Sequence, residues 1–267
     1  MEQNPPLITL TTDFGLTDPY VGQLKGALLS RCPTATLIDL THAIPAWDLL
    51  AAAITLHSSY RFFPRSTVNL IVVDPGVGSD RAIVAAQGQG HFFVCPDNGI
   101  LSLLLDEGAI EAACTIKPAH AAVVSPTFHG RDCMAPASAA LALGCPIGEL
   151  GEAMALEQLQ RLPSWQAQLT AQGWQGRVLG IDHFGNLRTS IRAQELQGFK
   201  KLEINGQAVQ QQVATYSEIA AGSLAVLIDS CGFVEIAANQ ASAAAIIGAA
   251  IGDVVTVHSV HPPYHPK

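Results

Sequence analysis

Over the first half of the chain, short apolar runs alternate with longer amphipathic stretches. Leu7-Ile8-Thr9-Leu10-Thr11 predicts a strand that runs into Thr12-Asp13-Phe14-Gly15. Thr17-Asp18-Pro19 reads as a helix start, with Asp near the N-cap and Pro in the first turn, and the helix is expected to continue to about Arg31. Residues 35–40 predict a second strand and residues 47–60 a helix with an Ala-rich face. Residues 68–73 form a continuous β-branched run bounded by Asp74-Pro75-Gly76, the pattern of a strand buried on both faces. Residues 81–87 and 91–95 follow at hairpin spacing. Asn98 is expected to cap a short helix to Leu105, and residues 132–143 to form a small-residue helix. The alternation predicts an α/β layered domain over residues 1–160.

The pattern then changes. Residues 157–175 are polar, Gln-rich and interrupted by Pro163, and a linker is placed at 161–169. Beyond it, residues 177–181, 202–204, 225–228, 234–237 and 254–258 read as short strands separated by Gly, Asn and Ser turns. They predict a smaller C-terminal antiparallel β-barrel or sandwich domain over 170–267. The fold class expected is α/β with this appended β domain.

Composition narrows the function. With 49% hydrophobic and 13% charged residues, the chain lies far from intrinsic disorder. The net charge of −8 argues against nucleic acid or a polybasic membrane surface as partner, and favours a small molecule. The longest apolar run, residues 243–252, is half the roughly 20 residues that a bilayer span needs. The first six residues show no basic-then-apolar leader pattern. Six cysteines without a CxxC pair suit a reducing cytoplasm. No histidine spacing suggests a metal, and neither a dinucleotide fingerprint nor a P-loop is present, so no cofactor is expected.

Candidate chemistry collects at expected strand ends, where open α/β sheets bind ligands. Asp13, Asp74 and His129 occupy three such ends. Asp13 could hold sugar hydroxyls or simply cap a turn. Asp74 and Arg81 could act together or form a plain ion pair across their loop. His129 could be a solvated loop residue, and Cys133, four residues on, a conceivable nucleophile. In the β domain, Asp182-His183-Phe184-Gly185-Asn186 offers a carboxylate, an aromatic and an amide, a set able to hold a purine or to make a β-turn. Trp47 and Tyr216 read singly as packing aromatics.

Taken together, eight segments resemble the S-adenosylmethionine hydroxide adenosyltransferase family, relatives of the 5′-fluorinase and chlorinase enzymes. They are Thr11-Thr12-Asp13-Phe14-Gly15, Asp18-Pro19-Tyr20-Val21-Gly22, Pro45-Ala46-Trp47-Asp48, Val73-Asp74-Pro75-Gly76-Val77-Gly78, Pro96-Asp97-Asn98-Gly99, Thr127-Phe128-His129-Gly130-Arg131-Asp132, Ile181-Asp182-His183-Phe184-Gly185-Asn186 and Ile228-Asp229-Ser230. The resemblance implies hydrolysis of S-adenosyl-L-methionine to adenosine and L-methionine in a homotrimer with its site at the subunit interface. It implies that Asp74, Arg81 and His129 act on water and that Asp13 holds the ribose diol. Asp18, Asp182 and Ser230 would hold the methionine end, Asn186 with Phe184 and Tyr216 the adenine, and Trp47 would line the site. The halogenating relatives carry a tyrosine at the position of Asp74 and an arginine at that of Cys231, which points here to water as nucleophile. A 5′-halogenase and a non-catalytic sensor of adenosine or S-adenosylmethionine are the alternatives.

Overall fold

The computed structural model describes residues 5–117 and 124–259; residues 1–4, part of the stretch inspected for a leader, lie outside them. The chain divides into two compact units, residues 1–162 and 163–267.

The first unit is built on one seven-stranded sheet. Its strands are β1 (Leu7–Thr12), β2 (Thr36–Thr41), β3 (Val68–Val72), β4 (Ile83–Gly88), β5 (His91–Pro96), β6 (Ala112–Thr115) and β7 (Ala153–Met154), in the order β2-β1-β3-β5-β4-β6-β7. The first four in that order run parallel and the rest pair antiparallel. Every residue of β3 is buried, as its uninterrupted apolar run requires for a central strand. Helices α1 (Tyr20–Leu29) and α4 (Ala135–Ala142) pack together over Ile8, Leu10, Val68, Leu70 and Val72. Helix α2 (Leu49–Ser59) packs with α3 (Ser102–Asp106) and against β1 and β3.

Four local expectations need correction. Pro19 is the N-cap of α1 and not a residue of its first turn, its backbone already helical, with Asp18 directly before it and no side-chain cap bond from Pro19. Asn98 does not cap α3, whose N-cap is Leu101; its amide instead donates to Val73 O at 3.0 Å. Trp47 does not start α2. Asp48 caps that helix, accepting from Ala51 N at 2.9 Å, while Trp47 sits at φ 67°. The helix expected from Asp132 opens as a π-helical turn, Gly130–Met134, before α4 begins.

The second unit holds β8 (Gln168–Thr170), β9 (Gly173–Ile181), β10 (Leu187–Arg192), β11 (Phe199–Ile204), β12 (Gln207–Val209), β13 (Leu224–Ile228), β14 (Phe233–Ala238) and β15 (Val254–Ser259). Their order is β12-β11-β15-β9-β10-β14-β13, all antiparallel, with β8 paired to β9. Val213 N donates to Val226 O, and Val226 N to Gln211 O, so the segment after β12 meets β13 and nearly closes a barrel. Val178, Leu187, Ile191, Leu202, Val226, Ile236 and Val257 fill it. β8 and the start of β9 fall inside the polar stretch that reads as linker. The apolar run at 243–252 opens as the short helix α5 (Ala243–Ile247), ended by Gly248 in the left-handed region.

One position tests the sheet directly. A Cβ on Gly88 would lie 1.9 Å from the carbonyl oxygen of Ala109, a backbone atom that cannot swing aside. Gly88→Ala should cost about 1–3 kcal/mol, read as a lower denaturation midpoint. An unchanged midpoint would mean that the close β4 approach is not as described.

Candidate active site

Because β1 and β3 are parallel neighbours with Thr12 opposite Val72, Asp13 and Asp74 emerge from the same edge of the sheet. Asp74 binds Arg81 at two points: Nε donates to Oδ1 at 2.7 Å, and Nη2 donates to Oδ2. The pair is largely buried, with side-chain exposures of 7% and 10%. Two close approaches hold the loops in place. A Cβ on Gly78 (φ 82°) would lie 2.7 Å from Pro126 O, and one on Gly130 would lie 2.8 Å from Val72. Phe14, Tyr20 and Phe128 meet edge to face, and Arg131 lies over Phe128 while it pairs with Asp132.

The contact to the His129 ring comes from Arg81, not from Asp74. Arg81 Nη2 lies 3.0 Å from His129 Nδ1. A guanidinium has only donors, so Nδ1 must accept and the ring proton sits on Nε2. The lone pair through which a general base would work is therefore occupied. Arg81 Nη1 keeps two N–H groups that meet no acceptor among the described residues, and His129 keeps Nε2–H. Such a group of donors favours an anionic oxygen over a neutral one. Cys133 does not compete as nucleophile, because it is buried and burial pushes its thiol up.

Asp13 is half-buried, and its Oδ2 accepts from Trp47 N at 3.0 Å. Trp47 itself is 71% exposed. Asp18 is exposed in the loop before α1.

In the second unit, Asp182 Oδ1 accepts from Phe184 N and Asn186 N at 2.9 and 2.8 Å, and Oδ2 accepts from Asn186 Nδ2 at 2.9 Å. This carboxylate shapes the β9–β10 turn, with Gly185 at φ 85° packed against Ser242. Asp182, Phe184, Asn186 and Tyr216 line one cavity of about 540 Å³ with residues 238–241, within the range of small-ligand sites. Phe184 is 75% exposed, its ring meeting that of His183 in a T-shaped contact. Tyr216 donates its hydroxyl to Glu235 Oε1 at 2.8 Å. Burial, with the Glu235 contact added, pushes the phenol up, and burial likewise pushes the buried Glu235 carboxyl up. Ser230 is exposed in the β13–β14 turn and does not line that cavity. Glu235 is absent from the sequence expectations, and Asn98 figures there as a helix cap and not as the partner of Val73 O. Glu235 sits in an apolar run, Phe233–Ala238, where one acid is a visible anomaly; Asn98 carries no signal beyond its turn.

A charged donor cluster at one sheet edge and an aromatic-walled cavity on a barrel are the equipment of an enzyme for a small, ring-bearing substrate. The chain belongs to the SAM hydroxide adenosyltransferase family: the family's N-terminal domain matches residues 8–151 and its C-terminal domain residues 176–256. The chain is 40% identical to an (R)-S-adenosyl-L-methionine hydrolase of Salinispora tropica, covering 94% of this chain and 97% of that protein. It is 40% identical to a Thermus thermophilus protein of the same name, covering 89% and 93%. A fluorinase of Actinoplanes is 30% identical, covering 94% and 97%. A solved structure from Thermotoga maritima, described as an uncharacterized conserved protein, aligns at a TM-score of 0.86 with 30% identity over 94% of this chain and 99% of that one.

Asp182 gives the site's own test. Asp182→Ala strips three acceptor contacts from the turn and should weaken adenosine binding at least about 10-fold while costing about 1–3 kcal/mol of stability. Calorimetry and a denaturation curve read both; unchanged adenosine affinity would separate the turn from the ligand.

Proposed function

We propose that the protein hydrolyses S-adenosyl-L-methionine to adenosine and L-methionine. The C5′–S bond breaks with its electron pair passing to sulfur, a water oxygen forms the new C5′–O bond, and one proton is released. Methionine leaves as a neutral sulfide, so no acid is needed on that side, and the demand falls on the water. The observation that carries the reading is the Asp74–Arg81–His129 unit, whose free N–H groups favour hydroxide in a site of low solvent access. The hydrolases among the relatives with full-length coverage reach 40% identity and the fluorinase 30%, which supports water over halide.

Asp13 is assigned to the ribose diol, with Trp47 beside it. Phe184, Asn186 and Tyr216 of the cavity are assigned to the adenine, and Asp18, Asp182 and Ser230 to the methionine end, with Asp182 also shaping the turn that carries Asn186. We further propose a homotrimer in which one subunit's first unit and a neighbour's second unit share each substrate. Support comes from the division of these residues between the two units and from exposed Leu16, Trp47 and Phe184. A reducing, cytoplasmic setting is supported by six free cysteines. Among the described residues no helix is long and apolar enough to cross a membrane, and no group of side chains could hold a metal.

Incubation with each sulfonium epimer should release adenosine and methionine, faster from the (R) epimer for which the hydrolase relatives are named. Turnover in ¹⁸O-water should label the 5′ oxygen, and a substrate chiral by deuterium at C5′ should react with inversion. Retention would demand a covalent enzyme intermediate and defeat direct attack. Arg81→Lys should lose activity about as severely as Arg81→Ala, because an ammonium cannot bind Asp74 at two points and reach His129 as well. Both should depress kcat more than adenosine affinity. Light scattering should give three times 28.1 kDa, and an active monomer would contradict the shared site.

A further inference from the structure

Behind Asp13 runs a line of polar side chains that the reaction above does not use. Lys25 Nζ, on α1, donates to Asp39 Oδ2 at 2.7 Å. Asp39, on β2, places Oδ1 3.0 Å from His42 Nε2; the contact lies off the hydrogen-bond axis and acts as an electrostatic one. His42 Nδ1 is 2.8 Å from Thr12 Oγ1, and Thr12 Oγ1 accepts from Phe14 N at 3.2 Å. Partial burial works against the charge on Asp39, yet Lys25 and His42 still hold its carboxyl below the ordinary value.

The donors and acceptors along this line have one consistent order. The negative charge of Asp39 3.0 Å from Nε2 favours, electrostatically, the tautomer of neutral His42 with its proton on that nitrogen. Nδ1 then accepts, and the Thr12 hydroxyl must donate to it. That turns an oxygen lone pair toward Phe14 N. Acid, imidazole and hydroxyl in sequence resemble a hydrolytic triad. Thr12 is completely buried, however, and its hydroxyl cannot meet a substrate.

The same β2–α2 connection that carries His42 also grips the main chain. Gly15 N donates to His42 O at 2.8 Å, Ile44 N to Thr12 O at 3.4 Å, and Trp47 N to Asp13 Oδ2 at 3.0 Å. Residues 12–15 are thus held by the side-chain relay and by three further hydrogen bonds to the same connection, two donated by Ile44 N and Trp47 N and one donated by Gly15 N to His42 O. A carboxylate that must accept two hydroxyls at once needs its plane fixed, and a loop without such a grip would not fix it.

We propose that Asp39, His42 and Thr12 form a positioning relay for ribose recognition, orienting the Asp13 carboxylate toward the 2′,3′-diol of the substrate. The inference rests on the assignment of Asp13 to the ribose. None of the three touches substrate; they act through the loop.

The test is the preference for S-adenosylmethionine over its 2′-deoxy analogue, measured as a ratio of kcat/KM on the full chain. Asp13→Ala serves as the reference and should abolish the preference. Thr12→Val, nearly isosteric but without the hydroxyl, should reduce it by about 10-fold, mainly through KM, and Thr12→Ser should restore it. Asp39→Asn, at a partly exposed position that threatens folding less, should reduce it in the same direction. A loop fixed by shape alone would show no rescue by serine. If Asp13→Ala abolishes the preference while Thr12→Val and Asp39→Asn leave it intact, the relay is overturned and the ribose assignment stands. If Asp13→Ala leaves the preference unchanged, the ribose assignment fails and the relay falls with it.

Discussion

A guanidinium withdrawn from water must be matched by charge and hydrogen bonds, and Arg81 meets that requirement with Asp74 at two points. The match leaves one N–H of Nη2, which ends on His129 Nδ1. Everything distinctive about the site follows from where that last bond goes. It takes the imidazole's lone pair out of use and leaves the histidine a donor. The cluster therefore presents N–H groups to the space where a water would sit. In the reaction proposed, a base would draw the proton off, whereas this arrangement would lower the energy of the oxygen that has lost it.

The scaffold's task is to keep three loops at one sheet edge. Parallel pairing of β1 with β3 sets Asp13 and Asp74 side by side. Gly78 against Pro126, and Gly130 against Val72, allow the third loop to come close enough for His129 to reach Arg81. The β unit solves a related problem with three acids, Asp229 and Glu235 buried and Asp182 exposed at its turn. Asp182 folds the β9–β10 turn, and Asp229 folds the β13–β14 turn by accepting from Cys231 N and Phe233 N while pairing with Arg188. Glu235 tethers Tyr216 at the cavity wall. Each carboxylate is spent on geometry, which leaves ring faces and a few polar atoms to meet the ligand.

Strand existence was legible wherever hydrophobicity was continuous or cleanly alternating, as in β1, β3 and the central barrel strands. β6 and β7 were not, because Ala112–Thr115 and Ala153–Met154 are short and lack β-branched pattern. β10 was hidden by its polar alternation, Leu187–Arg192, whose Thr189 and Ser190 are buried by hydrogen bonding. The helix starts were misplaced by one or two residues because Pro19 caps α1 through its backbone alone, and because the Asp48 side-chain cap follows Trp47, which sits in the left-handed region outside α2. For the site, residue identity and order pointed to Asp74, Arg81 and His129, yet the wiring among them was invisible. In the fold it is arginine, not aspartate, that holds the ring. Nor could spacing reveal Glu235, 19 residues from its partner Tyr216.

The central claim is a statement about one proton. Nitrogen-15 NMR of the protein labelled at histidine reads it directly, through the shifts and proton couplings of the His129 ring, assigned by comparison with His129→Gln. The account predicts a protonated Nε2 and an unprotonated Nδ1 in the neutral ring, with the pattern lost in Arg81→Ala. A proton on Nδ1 of the wild-type ring would contradict it, because no guanidinium N–H could then be donated there.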